Sequence, residues 1–441
     1  MDDFLNKIQN LAKTITTVII SLFAIGSSSF IVKSVLYPQA VVIEQISIPP
    51  ILEERGLKTE IIVQRILDEI QVLRKDAQVD RAENAIFGAM SNKPDAQIDA
   101  TFGGISLKTI EHVLAEIFDK KPKKIMGEIT QWGDKDSGQL QARIRMNNSV
   151  ISSRTVTKDD IDQNNDIIVR LIAFDIYSHF EPFRAALAAV KQGRADDARH
   201  ALRALIISDD PTDRKYALWL RSTLSPIRQR ELDLLEALSI DPNFTLALVS
   251  MAVLERDRKN FDASLDYAER AIQSDQTTPN GYHEKGRTLR AQEKFDDALE
   301  AFKKACSQKI PYAPCFNQMG EIALIQADKN PTQAQGYRHA YGEFIKAIRV
   351  DPIHAWAYSN AAYAAMRAGD LKEAQLLVKR ARELDPNTAS HVIRYAAITA
   401  QLGNKEEAQS LITALLPTIP NWEQNPPPGW GNRALLRLFK N

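Results

Sequence analysis

Two groups of residues in this chain have types that could do acid–base or metal chemistry. The first is the acidic run DDIDQNND at 159–166, whose oxygen-bearing side chains are spaced as in a calcium-binding loop. Such a loop needs a central glycine and a glutamate at its twelfth position, and this chain has Asn165 and Leu171 there. The second group is the seven histidines, none of which forms an HExxH or His-x-x-x-His pair. We therefore interpret the run as a charged helix start and predict no metal site.

Signatures of nucleotide binding and covalent catalysis are also absent from the sequence. There is no GxxxxGK[ST] loop, and no GxSxG or Cys–His arrangement indicates a nucleophile. Gly103 and Gly104 precede Ser106, an arrangement that favours a turn followed by a helix N-cap. The sequence thus predicts neither a catalytic site nor a cofactor.

The strongest pattern is a repeat between about residues 180 and 420. The ranges 281–305, 357–386 and 392–416 align with one another. Each begins with apolar or aromatic residues, has a small residue one turn later, and continues after a break into a second apolar stretch centred on alanine. Ala374 and Ala408 are 34 residues apart. A fixed period of this length indicates a helical solenoid.

The residue types explain why each repeat should form two packed helices. In one unit Tyr282, Gly286 and Leu289 share a helical face, and Gly286 lets a second helix approach closely. Ala298 and Phe302 lie on the matching stripe of that second helix. Glycines, which adopt positive φ at little cost, separate the paired helices: Gly193, Gly369 and Gly403. No single pair buries its apolar face alone, so stacking of neighbours stabilises the array.

These repeats resemble the tetratricopeptide repeat over roughly the C-terminal 240 residues, as about seven units. The resemblance implies a mainly α fold, a right-handed α-solenoid of helix pairs. The unit between residues 320 and 347 carries about eight extra residues, which we expect to lengthen its first helix or a loop.

The resemblance also implies a binding face, because first helices in this family line a concave groove that holds an extended peptide or a partner's helix. The residues in that register are Arg256, His283, Arg287, Arg290, Asn317, Asn360, Tyr363, Arg367 and Arg394. Several guanidiniums and few acids favour an acidic protein or peptide partner, since Arg forks match carboxylates. The alternative is a set of unrelated, solvated surface arginines.

Cys306 and Cys315 are the only cysteines. In the repeat family the end of a second helix lies beside the start of the next first helix, which is where these two residues fall. An even count in an exported domain permits a disulfide. The alternative is two unrelated buried thiols.

The N-terminal region predicts a membrane anchor. Residues 14–32 carry no charge and lie between Lys13 and Lys33, and no small-x-small cleavage site follows. We expect an uncleaved signal-anchor, with a cleaved signal peptide and a soluble helix as alternatives. Lysines before the segment favour a cytoplasmic N-terminus. The chain would then be a single-pass inner membrane protein of a bacterium with its bulk in the periplasm.

Residues 38–165 read as a small α+β domain. A strand at 40–48 precedes helices at 57–77 and 106–118, and 123–133 with 138–146 predicts a hairpin. Thr157 and Asp160 are spaced to cap the helix that leads into the repeats. The domain resembles the TolB amino-terminal type through Gly56-Leu57 after the first strand and a glycine-centred strand at 125–129.

The sequence therefore predicts a chain of four parts. Residues 1–37 form a cytoplasmic stub and transmembrane anchor, 38–165 the α+β domain, 166–420 the repeat array, and 421–441 a Pro/Trp segment with a short capping helix. Equal numbers of basic and acidic residues, 56 each, do not favour nucleic acid as a partner. We expect a non-catalytic scaffold. The alternative is a sensor or regulatory subunit whose α+β domain binds a ligand and whose array relays the signal.

Overall fold

The structure is a computed structural model and describes residues 41–77, 98–100, 123–132, 138–164, 166–329, 334–419, 421–425, 427 and 431–439. The predicted anchor at 14–32 and the predicted helix at 106–118 lie outside these residues. Within the described ranges, none of the helices combines the length and apolar composition that a bilayer crossing requires.

The chain divides into two compact units, which we treat separately. Unit 1 contains the described residues up to Asp209, and unit 2 contains those from Asp210 onward. The strands, all in unit 1, are β1 (Val41–Ser47), β2 (Ile98–Ala100), β3 (Lys123–Trp132), β4 (Gln139–Met146) and β5 (Ser149–Thr157). The helices of unit 1 are α1 (Pro50–Glu54), α2 (Thr59–Asp76), α3 (Lys158–Gln163), α4 (Ile167–Phe180), α5 (Pro182–Lys191) and α6 (Ala195–Ile206).

The five strands that the structure describes form one mixed sheet in the order β2-β1-β3-β4-β5. β1 runs parallel to β2 and β3, whereas β3, β4 and β5 form an antiparallel meander. Alternate residues of β3 are buried, as at Ile125 and Ile129, while Met126 and Trp132 on the other face are exposed. This period of two is expected of a strand with one face on a core. A small α+β region is therefore present here, as the sequence predicts.

Helices α2 and α4 pack against this sheet and against each other. A buried charge joins β5 to α4: Arg154 donates from Nε and Nη2 to the two carboxylate oxygens of Asp175, at 2.8 and 2.6 Å. Ser152 also donates to Asp175. The pKa of Arg154 is raised, chiefly because of its hydrogen bonds to Asp175. A bidentate pair of this kind neutralises the buried carboxylate and also fixes the position of β5 relative to α4.

Two details of unit 1 differ from the sequence-based expectation. Thr157 and Asp160 do form a capping box, but it caps the short helix α3, and α4 begins separately at Ile167. The strand β5 was not predicted. It follows β4 through a turn at Asn147 and Asn148, whose φ angles are 47° and 71°, the conformation that closes a two-residue hairpin.

Unit 2 is built of helix pairs. The first helices are α7 (Pro211–Thr223), α9 (Thr245–Asp257), α11 (Pro279–Ala291), α13 (Ala313–Lys329), α15 (Ala355–Ala368) and α17 (Ala389–Gln401). Their second helices are α8 (Ile227–Ile240), α10 (Phe261–Ser274), α12 (Phe295–Cys306), α14 (Ala334–Val350), α16 (Leu371–Leu384) and α18 (Lys405–Leu415). A 3₁₀ turn (Leu416–Thr418) and a short helix α19 (Asn432–Arg437) follow.

Small residues set the distance between the helices of a pair, as the repeat pattern predicts. A Cβ built on Gly286 would lie 2.6 Å from the ring of Phe302, and one on Gly320 would lie 2.5 Å from the ring of Phe344. A Cβ cannot be accommodated at these distances, so glycine is required where each ring packs against the facing helix. The extra residues near 320–347 lengthen both helices of their pair, α13 and α14, to 17 residues each.

Candidate functional site: the first-helix face of unit 2

The first helices of successive pairs contact one another: α9 packs on α11, α11 on α13, α13 on α15, and α15 on α17. On α11, His283, Arg287 and Arg290 fall at i, i+4 and i+7 and therefore share one side of the helix. We call the surface formed by this side of α7, α9, α11, α13, α15 and α17 the first-helix face. All nine residues predicted to line a groove lie on its helices.

Glu284 is the centre of a buried charge cluster between α9 and α11. Its carboxylate accepts hydrogen bonds from Arg256 Nη1 and from Arg287 Nη1, the latter at 2.9 Å. The side chains of Glu284 and Arg256 are only 6% and 9% exposed. Burial alone would raise the pKa of Glu284, but hydrogen bonding from His283 and the charges of Arg287 and Arg256 outweigh it and lower that pKa to about 2. The carboxylate is thus ionised and held by two guanidiniums.

His283 lies beside this cluster, with Nδ1 3.3 Å from a Glu284 oxygen. Burial lowers its pKa, against the opposing effect of Glu284. The imidazole is therefore neutral at pH 7, and its contact with Glu284 is a hydrogen bond rather than an ion pair. Its ring also packs against those of Phe302 and Tyr312, so His283 is part of the core here.

A second polar chain crosses four first helices. Arg290 of α11 pairs with Glu321 of α13, which also accepts from Asn317 Nδ2 at 3.1 Å. Asn360 Nδ2 of α15 donates to Asn317 Oδ1 at 3.0 Å, and Arg394 Nη1 of α17 donates to Asn360 Oδ1 at 2.7 Å. Arg394 is fully buried, and burial lowers its pKa to about 10, so it stays charged at neutral pH. Each step joins a helix to the next, which ties the array together.

Arg367 belongs to a third polar group, between the longer pair and α15. Its guanidinium carbon lies 4.6 Å from the centre of the Tyr337 ring, and Nη1 donates to the Tyr363 hydroxyl at 3.0 Å. Asp328 Oδ1 is 3.4 Å from Arg367 Nη1. Stacking and an ion pair therefore hold this arginine in place.

The structure brings the nine predicted residues together on one face, but it corrects their expected exposure. Five of them are buried: His283, Asn317, Asn360, Tyr363 and Arg394. The expectation of few acids on this face is wrong, because Glu284, Glu321 and Asp328 neutralise guanidiniums there. Charge reversal of Arg287 or Arg367 would thus disturb packing as well as any ligand.

An apolar area on α7 and α9 was missed by the sequence reasoning. Val253 and Val249 lie one and two turns before Arg256 on the same side of α9, and both are partly exposed. Trp219 of α7 is also partly exposed and donates from Nε1 to Ser250 Oγ at 3.1 Å. Val249, Val253 and Arg256 are spaced by four and three residues, and this helical spacing could have identified the valines from the sequence.

Cys306, at the end of α12, and Cys315, in the first turn of α13, form a disulfide with their Cα atoms 5.7 Å apart. Cys315 is fully buried. The bridge thus joins the second helix of one pair to the first helix of the next. Across the described residues, no group of three or more His, Cys, Asp or Glu side chains is placed to hold a metal ion.

Comparison with known proteins identifies the repeats. One family model described as tetratricopeptide repeat matches residues 183–222, and a second of the same description matches residues 279–309. The chain therefore contains tetratricopeptide repeats, as the sequence predicts, within a mainly helical array.

Individual relatives are distant. A DnaJ homolog subfamily C member 7 homolog from Dictyostelium discoideum is 26% identical over 145 residues, which are 31% of this chain and 27% of that protein. This chain thus matches about a quarter of the relative's length. A tetratricopeptide repeat protein from Parabacteroides merdae aligns at 15% identity and a TM-score of 0.42, over 60% of this chain and 99% of that one. PilF of Pseudomonas aeruginosa aligns at 18% identity and a TM-score of 0.39, over 56% and 99%.

Proposed function

We propose that this chain is a non-catalytic scaffold that binds a segment of a protein partner on its first-helix face. Tetratricopeptide repeat proteins generally mediate protein–protein interactions. The observation that carries the proposal for this chain is the juxtaposition of two areas on that face. Trp219, Val249 and Val253 form a partly exposed apolar area, and the polar groups around Glu284 and Glu321 continue it along the next helices.

The charge of the face supports an acidic contribution from the partner. Five guanidiniums, those of Arg256, Arg287, Arg290, Arg367 and Arg394, face three carboxylates, those of Glu284, Glu321 and Asp328. The excess is positive, although each arginine already has a bond within the protein. We therefore propose a partner segment that places apolar residues on α7 and α9 and one or two carboxylates beside Arg287 and Arg290.

The polar groups hold several arginines of the first-helix face in fixed orientations. Arg256 and Arg287 are already oriented by Glu284, so a partner carboxylate would not have to order them. A preorganised face loses less side-chain entropy on binding. The energetic contribution of the partner's carboxylates would be modest at partly exposed arginines, whereas burial of Trp219 and the valines would contribute more per contact.

The uncharged segment 14–32 completes the proposal. It would hold the scaffold at the inner membrane with the repeats in the periplasm, so that a partner is collected at that surface. Fusion of a topology reporter after Asn441 tests this part, and a cytoplasmic readout would contradict it.

Peptide selection tests the binding face. A phage-displayed peptide library would be selected against the full chain and against two variants, Val253→Glu and Leu376→Glu. Both replace an apolar residue by glutamate. Val253 lies on the first-helix face, whereas Leu376 lies on the second helix α16 and is 65% exposed.

We expect wild type and Leu376→Glu to enrich the same peptides, with apolar and acidic residues close together, and Val253→Glu to lose them. Both variants should melt near the wild-type temperature, because the side chain of Val253 is partly exposed and that of Leu376 is largely exposed. Equal enrichment by all three chains would place binding elsewhere and end the proposal.

A further inference from the structure

The C-terminal segment of the chain packs onto the first-helix face instead of extending the array. Its helix α19 packs on α17, a first helix. Leu435 and Leu436 of α19 are 6% and 1% exposed and belong to one buried cluster with Tyr363 and Ile393. Both of these partners are on first helices, α15 and α17.

Two neighbouring residues make the closest contacts of this segment. Gly431 has φ 76°, and a Cβ there would lie 2.7 Å from the Tyr363 ring. Asn432 is 1% exposed and donates from Nδ2 to Ser390 Oγ at 2.8 Å. Only glycine allows both the backbone conformation and the approach to the ring. The segment is therefore fitted to this surface by shape, by a buried hydrogen bond and by two leucines.

The surface that the segment covers belongs to the same first-helix face as the partly exposed area at α7 and α9, at the other end of the row of first helices. Tyr363 is one of the residues predicted to line the groove, and it accepts a hydrogen bond from Arg367, another of them. The polar chain through Asn360 and Arg394 joins this end to α13, and Glu321 joins α13 to Arg290 of α11. A partner that lies along the whole first-helix face would meet residues 431–439 at its end.

We infer that residues 431–439 act as an intramolecular competitor for the α15–α17 end of the first-helix face. This inference rests on the proposed function and extends it. A partner can contact this end of α15 and α17 only when residues 431–439 have dissociated from it. The partner segment that fits there has the chemistry of the one it displaces: a glycine against Tyr363, an amide donor to Ser390, and a helical turn with adjacent leucines.

A synthetic peptide of residues 421–441, labelled with a fluorophore, tests this inference with full-length chains. An attached segment has an effective concentration on the order of 1 mM. A peptide that binds the open site with a Kd of about 10 µM would thus bind wild type roughly 100-fold more weakly, because the chain's own segment occupies the site. The variant Gly431→Val should release that segment, since valine meets the Tyr363 ring and disfavours positive φ.

Gly403→Val is the matched control, because Gly403 has φ 100° but no atom within 4 Å of a built Cβ. We expect Gly431→Val to bind the peptide tightly, and wild type and Gly403→Val to bind it about 100-fold more weakly. Asn432→Ala, a milder change that removes the bond to Ser390, should give an intermediate affinity. The peptide carrying Gly431→Val should not bind any chain.

Two results would overturn the inference. In the first, the peptide binds neither the Gly431→Val chain nor the Asn432→Ala chain, and the Gly431→Val chain melts at a lower temperature than wild type. The segment would then be a fixed part of the core. The other is equal binding of the wild-type and Gly431→Val peptides. Neither result bears on the peptide-library selection with Val253→Glu. That selection tests the proposed function, so the two proposals can fail independently.

Discussion

Replacement of Glu284 by glutamine should lower the stability of unit 2 more than any comparable surface change. The pKa of this carboxyl is about 2 in the folded chain against 4.5 for an unperturbed glutamate. Removal of one partner of a buried ion pair costs roughly 3–5 kcal/mol, and we expect a loss of that order at neutral pH. The substitution also leaves Arg256, whose side chain is 9% exposed, without its carboxylate partner.

Glu300→Gln is the control for this prediction. Glu300 lies on the exposed side of α12 and pairs with Lys304 one turn later, with both side chains more than half exposed. Such a pair contributes little. Urea unfolding at pH 7, followed by helical circular dichroism, should show a large loss of unfolding free energy for Glu284→Gln and almost none for Glu300→Gln.

The same carboxylate predicts a pH dependence. Because its folded pKa lies below its unfolded pKa, the stability it contributes is fully present above pH 4.5 and is lost as the pH falls through about 2. The difference between wild type and Glu284→Gln should therefore shrink with acid in that window. Equal losses for the two glutamine variants at pH 7, or a difference that persists at pH 2, would refute the argument that Glu284 is a buried, ionised anchor.

Three further predictions concern single positions. Burial lowers the pKa of His391 to about 4. Wild type should therefore lose stability as the pH falls from 6.5 towards 4, whereas His391→Leu should not. Thermal melts of the two chains over that pH range test this. Gly286→Ala should cost about 1–3 kcal/mol in a urea titration because of overpacking, whereas Gly342→Ala, where a Cβ meets no atom within 4 Å, should stabilise α14 by about 0.5–1 kcal/mol. Non-reducing peptide mapping should find Cys306 and Cys315 linked in protein from its native compartment, and the double serine variant should lose roughly 2–3 kcal/mol from a loop this short.

The repeat array was predictable because its determinants are local. Gly286 precedes Phe302 by 16 residues, and Gly320 precedes Phe344 by 24. Each pair of a glycine and an aromatic ring indicates that the two helices of a repeat pack closely. The same register placed nine side chains on one face. It could not show that these side chains are bonded to each other, because Arg256 and Glu284 are 28 residues apart and belong to different pairs.

The missed elements lack such local signals. β5 has the sequence SVISSRTVT, in which Ser and Thr replace the apolar alternation that marks a strand. Part of its inward contact is polar, as between Ser152 and Asp175. The two asparagines at 147 and 148 were the available indication, since asparagine tolerates the positive φ of a tight hairpin. The return of residues 431–439 onto α15 and α17 is a tertiary contact that periodicity does not encode.

Site-specific photo-crosslinking in the native host tests whether the first-helix face binds a protein partner. A benzophenone amino acid would replace Val253 in one strain and Leu376 in another, and the crosslinked peptides would be sequenced by mass spectrometry. We expect one dominant adduct from position 253, on a partner peptide with adjacent apolar and acidic residues, and no such adduct from position 376. Adducts to the same partner peptide from position 376 alone, or from both positions equally, would contradict it.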